Sequence, residues 1–524
     1  MRRRRFLRLL AAAGGAPLLA GRGRAATGAP LATAVAIHRD TRNTLLGAVG
    51  AGLRRLRTPP PPFKSYPAGR VDLERPVAAQ GLTLSQAVAR RAREASIGAG
   101  EITAAELSRL LFFTNGDTGS ADGDPLHLRA APSAGALYAG ELYVIAEHVA
   151  GLAPGVYYYD VARHGLLPVR SGSARAAALT GLAIGGAVAQ AAALVIVTNV
   201  FERYEHRYAN RGYRYALVDT GHIDENLRLA AASAGLACRT ADRFHDDRFH
   251  ELLEIDGREE AVCSVHALGR VGDAAAASET ASLIEKQVAD RGGVAQGLTA
   301  PRLYHEATKL VPAPAAVAMA GPPARPAAEI AGIALPQAAQ ADALVEDCIR
   351  RRRSPSAFEE ADISLLQLAT ALRLALPQAI AQSSLGMELH VIAHRVQGLA
   401  PGLHRYDPFM HTLAATGRTG EDLSAALRAV CLGQAHAATA AAALVMVADV
   451  AGVAARAGER SYRDLLREAG AIGQRIYLAA EAQGLAARNL AAFTDDAFNE
   501  LLGLEPARRA AVHLTMFGAR AATT

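Results

Sequence analysis

The chain has 524 residues, of which 51% are hydrophobic and 20% charged, and its formal net charge is +6. That is enough chain for two domains of ordinary size, and with no Trp and 5% aromatics their cores must be built from Ala, Leu and Val. The positive balance belongs to the N-terminus, where seven arginines precede Thr27 with no acid among them, so the remainder is close to neutral and gives no case for nucleic-acid binding.

Residues 1–26 set a basic run (Arg2 to Arg5, Arg8) before an apolar run (Leu9 to Ala20) and small residues at Ala25-Ala26. These are the parts of an export signal in their usual order. The arginine pair followed by Phe6-Leu7 resembles the twin-arginine type, which predicts a periplasmic or exported protein handed to the twin-arginine translocase. The apolar run is too short for a stable membrane span. Residues 27–80 read as an N-terminal extension with a stiff spacer, Thr58 to Pro62.

A first domain is expected over 81–271. Its apolar spacing predicts a helix from Thr103 to Phe113 and another from Gly212 to Ala234, closed by Gly235. Glu141–Ala146 and Val156–Tyr159 read as strands around a Gly151–Gly155 turn, Ala191–Val200 as a short buried strand, and Val262–Leu268 as another. Residues 272–340 read as a linker and a Pro/Ala-rich segment. A second, degenerate domain is expected over 341–520.

The two domains are copies of each other. Glu141-Leu-Tyr-Val-Ile-Ala146 and Gly151-Leu-Ala-Pro-Gly155 recur 247 residues later as Glu388-Leu-His-Val-Ile-Ala393 and Gly398-Leu-Ala-Pro-Gly402. Tyr213-Arg214 recurs as Tyr462-Arg463, Asp246-Asp247 as Asp495-Asp496, and His38-Arg-Asp-Thr as His305-Glu-Ala-Thr. The period is that of a whole domain, far longer than a solenoid repeat. Cys238, Cys263, Cys348 and Cys431 form no C-x-x-C pair and read as buried thiols, with a disulfide in an oxidising compartment as the alternative and no pairing assigned by the sequence. His222, His245, His250 and His266 match no metal-ligand spacing, so no metal is expected.

The segment Pro132-Ser-Ala-Gly135-Ala-Leu-Tyr, followed by Glu141-Leu-Tyr-Val, resembles the same segment of SagB-type dehydrogenases, FMN oxidoreductases of the nitroreductase superfamily. Arg352-Arg353-Ser354 resembles that superfamily's Arg-Arg-Ser phosphate motif, with Ser356 where a final Arg is usual. Asp219-x-Gly221-His222-x-x-Glu225-Asn226 resembles its Glu-x-Gly-His-x-x-Gln-Asn helix. The resemblance implies an α+β, nitroreductase-like sandwich whose two fused copies form an intrachain pseudo-dimer. It also implies FMN between the copies, with the arginine motif from one and the Pro-Ser loop from the other.

The expected composite site therefore joins Arg352, Arg353 and Ser354 to Pro132, Ser133, Ala134 and Gly135. The reciprocal site would join Arg90 and Arg91, where Ala92 takes the Ser position, to Gln382-Ser383-Ser384-Leu385-Gly386. It has lost its Pro, so one good flavin site and one degraded site are expected. Gly221 and Gly470 are expected either to meet the cofactor or to let helices pack closely. Arg520 could also reach a phosphate.

The azoline-oxidising relatives carry a Lys-Tyr pair where this chain has Arg207-Tyr208. Tyr208 is thus a candidate proton donor, and Arg207, which cannot release its proton at working pH, a candidate anion holder. The substrate implied is a small molecule or a peptide-derived heterocycle, with an unnamed electron partner. Reduction of nitro compounds or quinones by NAD(P)H is the alternative, and a flavin-less peptide-binding module is a third.

Overall fold

The computed structural model describes residues 33–44, 47, 50, 54, 58, 60–66, 69–93, 95–119, 127–272, 283–285, 299–312, 332–383 and 385–521. The segment 1–26, expected to be an export signal, lies outside them. Among the described residues no helix is long and apolar enough to cross a membrane.

Two sheets of eight strands repeat one topology. The first runs in the order Val71–Asp72, Gly165–Ser171, Gly155–Asp160, Gly140–Ala146, Ala193–Val200, Glu260–Gly272, Ser96–Gly98, with Leu236–Ala241 also on Glu260–Gly272. The second runs Ile333–Ala334, Thr412–Thr419, Gly402–Asp407, Glu388–Ala393, Ala442–Ala448, Ala510–Arg520, Phe358–Glu359, with Ala486–Leu490 also on Ala510–Arg520. The pairings within both orders are antiparallel. The central strands Gly140–Ala146 and Ala442–Ala448 are buried throughout, which explains why they read as continuous apolar runs rather than alternating ones.

The expected helices form close to their expected bounds. Ala104–Asn115 starts at Thr103, whose side chain and that of Glu106 close a capping box; Leu365–Ala375 starts with the same device at Ser364 and Gln367. Within the segment expected as linker, Ala300–Ala307 is a helix.

Two 22-residue helices, Gly212–Ser233 and Ser461–Ala482, cross at the seam. A single apolar core runs through both halves around them, and each sheet packs a second, private core on its outer face. At the crossing Gly221 and Gly470 face each other. A Cβ on Gly221 would lie 2.0 Å from the Arg467 carbonyl oxygen, and one on Gly470 would lie 2.0 Å from that of Val218. The expectation that these glycines meet the cofactor is corrected: they are packing positions, and backbone fills the space a ligand would need.

The seam is also tied by two matching polar nodes. Arg214 Nη1 donates to Asp495 Oδ1 (2.6 Å) and Arg211 Nη1 to Asp495 Oδ2 (2.8 Å), while Arg214 Nε donates to Thr41 Oγ1 (2.7 Å) and its Nη2 to the His38 carbonyl. In the mirror node, Arg463 and Arg460 donate to Asp246 (2.7 Å each), and Arg463 to Thr308 Oγ1 (2.8 Å) and the His305 carbonyl. Each arginine pair takes its acid from the opposite half, as a two-fold interface requires. The helices that carry the two His-x-x-Thr segments are exchanged as well: Ala34–Asp40 packs on Val450–Ala457, and Ala300–Ala307 packs on Phe201–Tyr208.

Candidate active site

The helix Val345–Arg351 ends where Arg352 leaves helical geometry, three residues before Pro355. The arginines at this end reach across the seam. Arg350 donates to the carbonyls of Val77 (2.6 Å) and Pro76 (2.9 Å). Arg352 donates through Nε to the Ala130 carbonyl (3.2 Å) and through Nη2 to that of Arg129 (3.1 Å), just ahead of Pro132, and lies over the Tyr477 ring. Arg353 Nη2 reaches the Thr118 carbonyl (3.3 Å), and Ser354 Oγ lies 2.6 Å from Tyr477 Oη.

Arg352 is 4% exposed, and burial pushes its pKa down. Among the described residues neither Arg352 nor Arg353 has a carboxylate within ion-pair distance, although Glu481 acts on both from further away and Asp117 on Arg353. A buried guanidinium without a carboxylate is a costly arrangement that an anion relieves. The chemistry of this donor set therefore fits a phosphate group.

The Pro132–Gly135 loop lies on the other side of the seam. Ser133 Oγ accepts from the Tyr138 amide (2.9 Å) and sits 2.9 Å from Tyr204 Oη; Tyr204 Oη in turn donates to Asp219, which also accepts from the Ala134 amide (2.8 Å). Burial, then the neighbouring Asp219 carboxylate, raises the Tyr204 pKa well above 10, so Tyr204 is a fixed donor that shapes the loop. Gly135 has φ +65°, and a Cβ there would meet Tyr208 Oη at 2.3 Å and Arg207 Nη1 at 2.7 Å. Arg207 Nη1 donates to the Gly135 carbonyl (3.3 Å), and the Arg207 guanidinium lies 5.4 Å from the centre of the Tyr208 ring. Arg207 and Tyr208 therefore meet the loop at Gly135, and Arg352 meets the chain two residues before Pro132.

Sequence reading missed Tyr204 and Asp219 as the supports of this loop. Tyr204 stands four residues before Tyr208 on one helix, a spacing that puts both on one face. A polar chain continues across the seam: Asn489 Nδ2 donates to His222 Nε2 (2.6 Å), and the Asn489 amide donates to Tyr477 Oη (2.8 Å), beside Ser354. Arg520 is turned instead to Glu481 and the Leu485 carbonyl.

The reciprocal arginines behave differently. Two hydrogen bonds, Leu84 amide to Ala343 carbonyl and Val345 amide to Leu82 carbonyl, relate the halves by 261 residues at this point. Arg91, not Arg90, is therefore the counterpart of Arg352, a one-residue correction to the expected register. Arg90 is exposed, while Arg91 lies 3.3 Å from the Glu225 carboxylate. Ser384 of the expected reciprocal loop lies outside the described residues; the Leu385 amide donates to Glu468 (3.1 Å), as the Ala134 amide does to Asp219.

The nitroreductase family model matches residues 99–270 and 349–518, once in each half and more than half of the chain in total. The chain belongs to the nitroreductase family. It is a tandem member, and its fold resembles that of a crystallised protein from Anabaena variabilis assigned as a nitroreductase, with a TM-score of 0.74, 24% identity, and coverage of 94% of this chain and 100% of that one. It is 32% identical over 154 residues to MJ1384 of Methanocaldococcus jannaschii, assigned as a nitroreductase, covering 29% of this chain and 75% of that protein. It is 31% identical over 150 residues to the trifolitoxin-processing protein TfxB of Rhizobium leguminosarum bv. trifolii, and 29% identical over 152 residues to the microcin B17-processing protein McbC of Escherichia coli. Those two matches each take in 28% of this chain, and they span 40% of TfxB and 55% of McbC. As a nitroreductase-family protein the chain is an oxidoreductase, and its SagB-type motifs fall within the matched regions.

Proposed function

We propose that this oxidoreductase works with FMN held across the seam, and that it oxidises a peptide-derived heterocycle or a related small molecule. The observation that carries this reading is the position of Arg352, a buried cation with no acid partner, against the carbonyls leading into the Pro132–Gly135 loop of the other half. Arg352, Arg353 and Ser354 would hold the phosphate. The Pro132–Gly135 backbone, kept free of side chain at Gly135, would take the flat ring system. Bound FMN supplies two-electron hydride chemistry.

This chain's own residues must then handle the proton and any negative charge. Tyr208, half-buried beside Gly135, would exchange a proton with substrate, whereas Tyr204 is committed to Asp219. Arg207 stabilises negative charge and does not act as a base. That Arg stands where a Lys would supply the base favours, as a second reading, reduction of a nitro compound or quinone by NAD(P)H.

Purified protein is expected to be yellow and to release FMN on denaturation; colourless protein that refuses added FMN sinks the reading. Anaerobic mixing with NADPH separates the two directions, since bleaching of the flavin band supports the reductase. Tyr208→Phe is expected to slow turnover by about 10²–10⁴-fold with FMN affinity unchanged, measured by steady-state kinetics and flavin fluorescence. Unchanged turnover removes Tyr208 from proton transfer.

A further inference from the structure

The helix crossing brings two equivalent positions into register, 249 residues apart in sequence, and they are not chemically equivalent. On one side Gln474 Nε2 donates to Asn226 Oδ1 at 2.7 Å. On the other the same two positions hold Glu225 and Arg475, an ion pair at 2.9 Å. Glu225 also faces Arg91 at 3.3 Å and Arg228 at 3.8 Å. One helical position earlier, Asp224 accepts from Arg467 (2.9 Å) and Ser264 (2.6 Å) and lies 2.8 Å from His266, where the other half has the uncharged pair Gly473 and Val218. At these positions of the helix crossing the charges lie on one side only.

Arg91 is the counterpart of Arg352. The arginine that lacks an acid partner in the composite site thus has a resident carboxylate in the reciprocal one. Glu225 is fully buried. Burial pushes its carboxyl up, but the guanidiniums of Arg475, Arg91 and Arg228 outweigh this and hold it at about 2, so it is an anion at any working pH. Beside it, a partly open pocket of about 30 Å³ lined by Arg90, Arg91, Arg228, Cys238 and Thr240 has room for about two waters.

We infer that Glu225 takes the place of the cofactor phosphate in the reciprocal site and closes it, so that each chain carries one flavin, in the composite site alone. This rests on the FMN reading above. A second phosphate would have to approach a buried permanent carboxylate. Repulsion between unit charges at ~4 Å and intermediate dielectric lowers affinity by about 10³-fold. The arginines, already neutralised, would return little.

Apo-protein titrated with FMN, followed by flavin fluorescence and visible absorbance, is expected to saturate at one equivalent per chain. Glu225→Gln/Arg475→Asn, which writes the Gln–Asn pair of the sister position into this one, is expected to take up a second equivalent. Wild-type protein that binds two equivalents overturns the inference. So does a cooperatively melting variant that stays at one. Wild-type protein that binds none defeats the flavin reading instead, and inorganic phosphate then reads the closure without flavin. At constant ionic strength millimolar phosphate is expected to raise the Tm of Glu225→Gln more than that of wild type, in which only the composite site can take it; equal shifts overturn the assignment to Glu225. The single variant also serves if the double variant does not fold.

Discussion

Replacing Arg352 and Arg353 together with alanine is expected to release FMN while the chain stays folded. Hydrogen bonds from a charged donor contribute about 1.5–3 kcal/mol each, so losing two guanidinium contacts should weaken FMN by roughly 10²–10⁴-fold. The fold should survive because Arg352 has no acid to leave stranded. Its bonds run to the carbonyls of Arg129 and Ala130, and removing a buried, unpaired cation offsets much of the lost bonding. Wild-type protein should melt higher with FMN, by about 2.7 kcal/mol at a hundred-fold excess over Kd, and the variant should lose that gain. The check is FMN affinity together with Tm in the presence and absence of ligand. Arg90→Ala, at an exposed position of the closed site, should leave both unchanged. Retained FMN in the double variant would place the phosphate elsewhere.

The duplication, the buried strands and the long helices were legible in the sequence because whole-domain identity at a fixed offset and apolar period are strong one-dimensional signals. The cross-seam partnership of Arg352 with the Pro132–Gly135 region was legible only through resemblance. Three things were not. Consecutive arginines at a helix end give no local cue to register, so Arg91 could not be told from Arg90 without the bonds at Leu84 and Val345. A glycine that admits a helix and one that admits a ligand look alike in sequence, and only the carbonyls of Arg467 and Val218 decide between them at Gly221 and Gly470. Glu225 stands where the family helix has Gln, and Arg475 occupies the Asn position of the second copy. Their complementarity appears only when two positions 249 residues apart meet at 2.9 Å.

The same blindness hid the nodes that hold the halves together. Arg214 and Arg463, Asp246 and Asp495, and Thr41 and Thr308 all recur in sequence, but nothing local says that each arginine takes the acid of the other copy. Asp495→Asn and Asp246→Asn are each expected to destabilise the chain by about 3–5 kcal/mol, the cost of breaking a buried pair and leaving its guanidiniums without an anion. Burial pushes the Asp495 carboxyl up; Arg211 and Arg214 outweigh it and hold it well below the usual carboxylate range. Asp246 is lowered in the same way, by Arg460 and Arg463 against burial. A carboxyl whose folded pKa is depressed contributes stability above its unfolded value, near 3.9, and loses it as pH falls further. His38 and His305 act earlier in the descent. Burial, then Arg214 and Arg463 respectively, lowers both pKa values well below 6.5, so below about 6.5 the unfolded chain binds protons the folded chain refuses. Both effects have one sign. Tm should fall as pH drops below about 6.5 and fall more steeply below about 4, with the steeper limb blunted in the Asp495→Asn and Asp246→Asn variants. Thermal melts from pH 8 to pH 3 check this, and variants that lose less than about 1 kcal/mol would show that the nodes do not hold the seam.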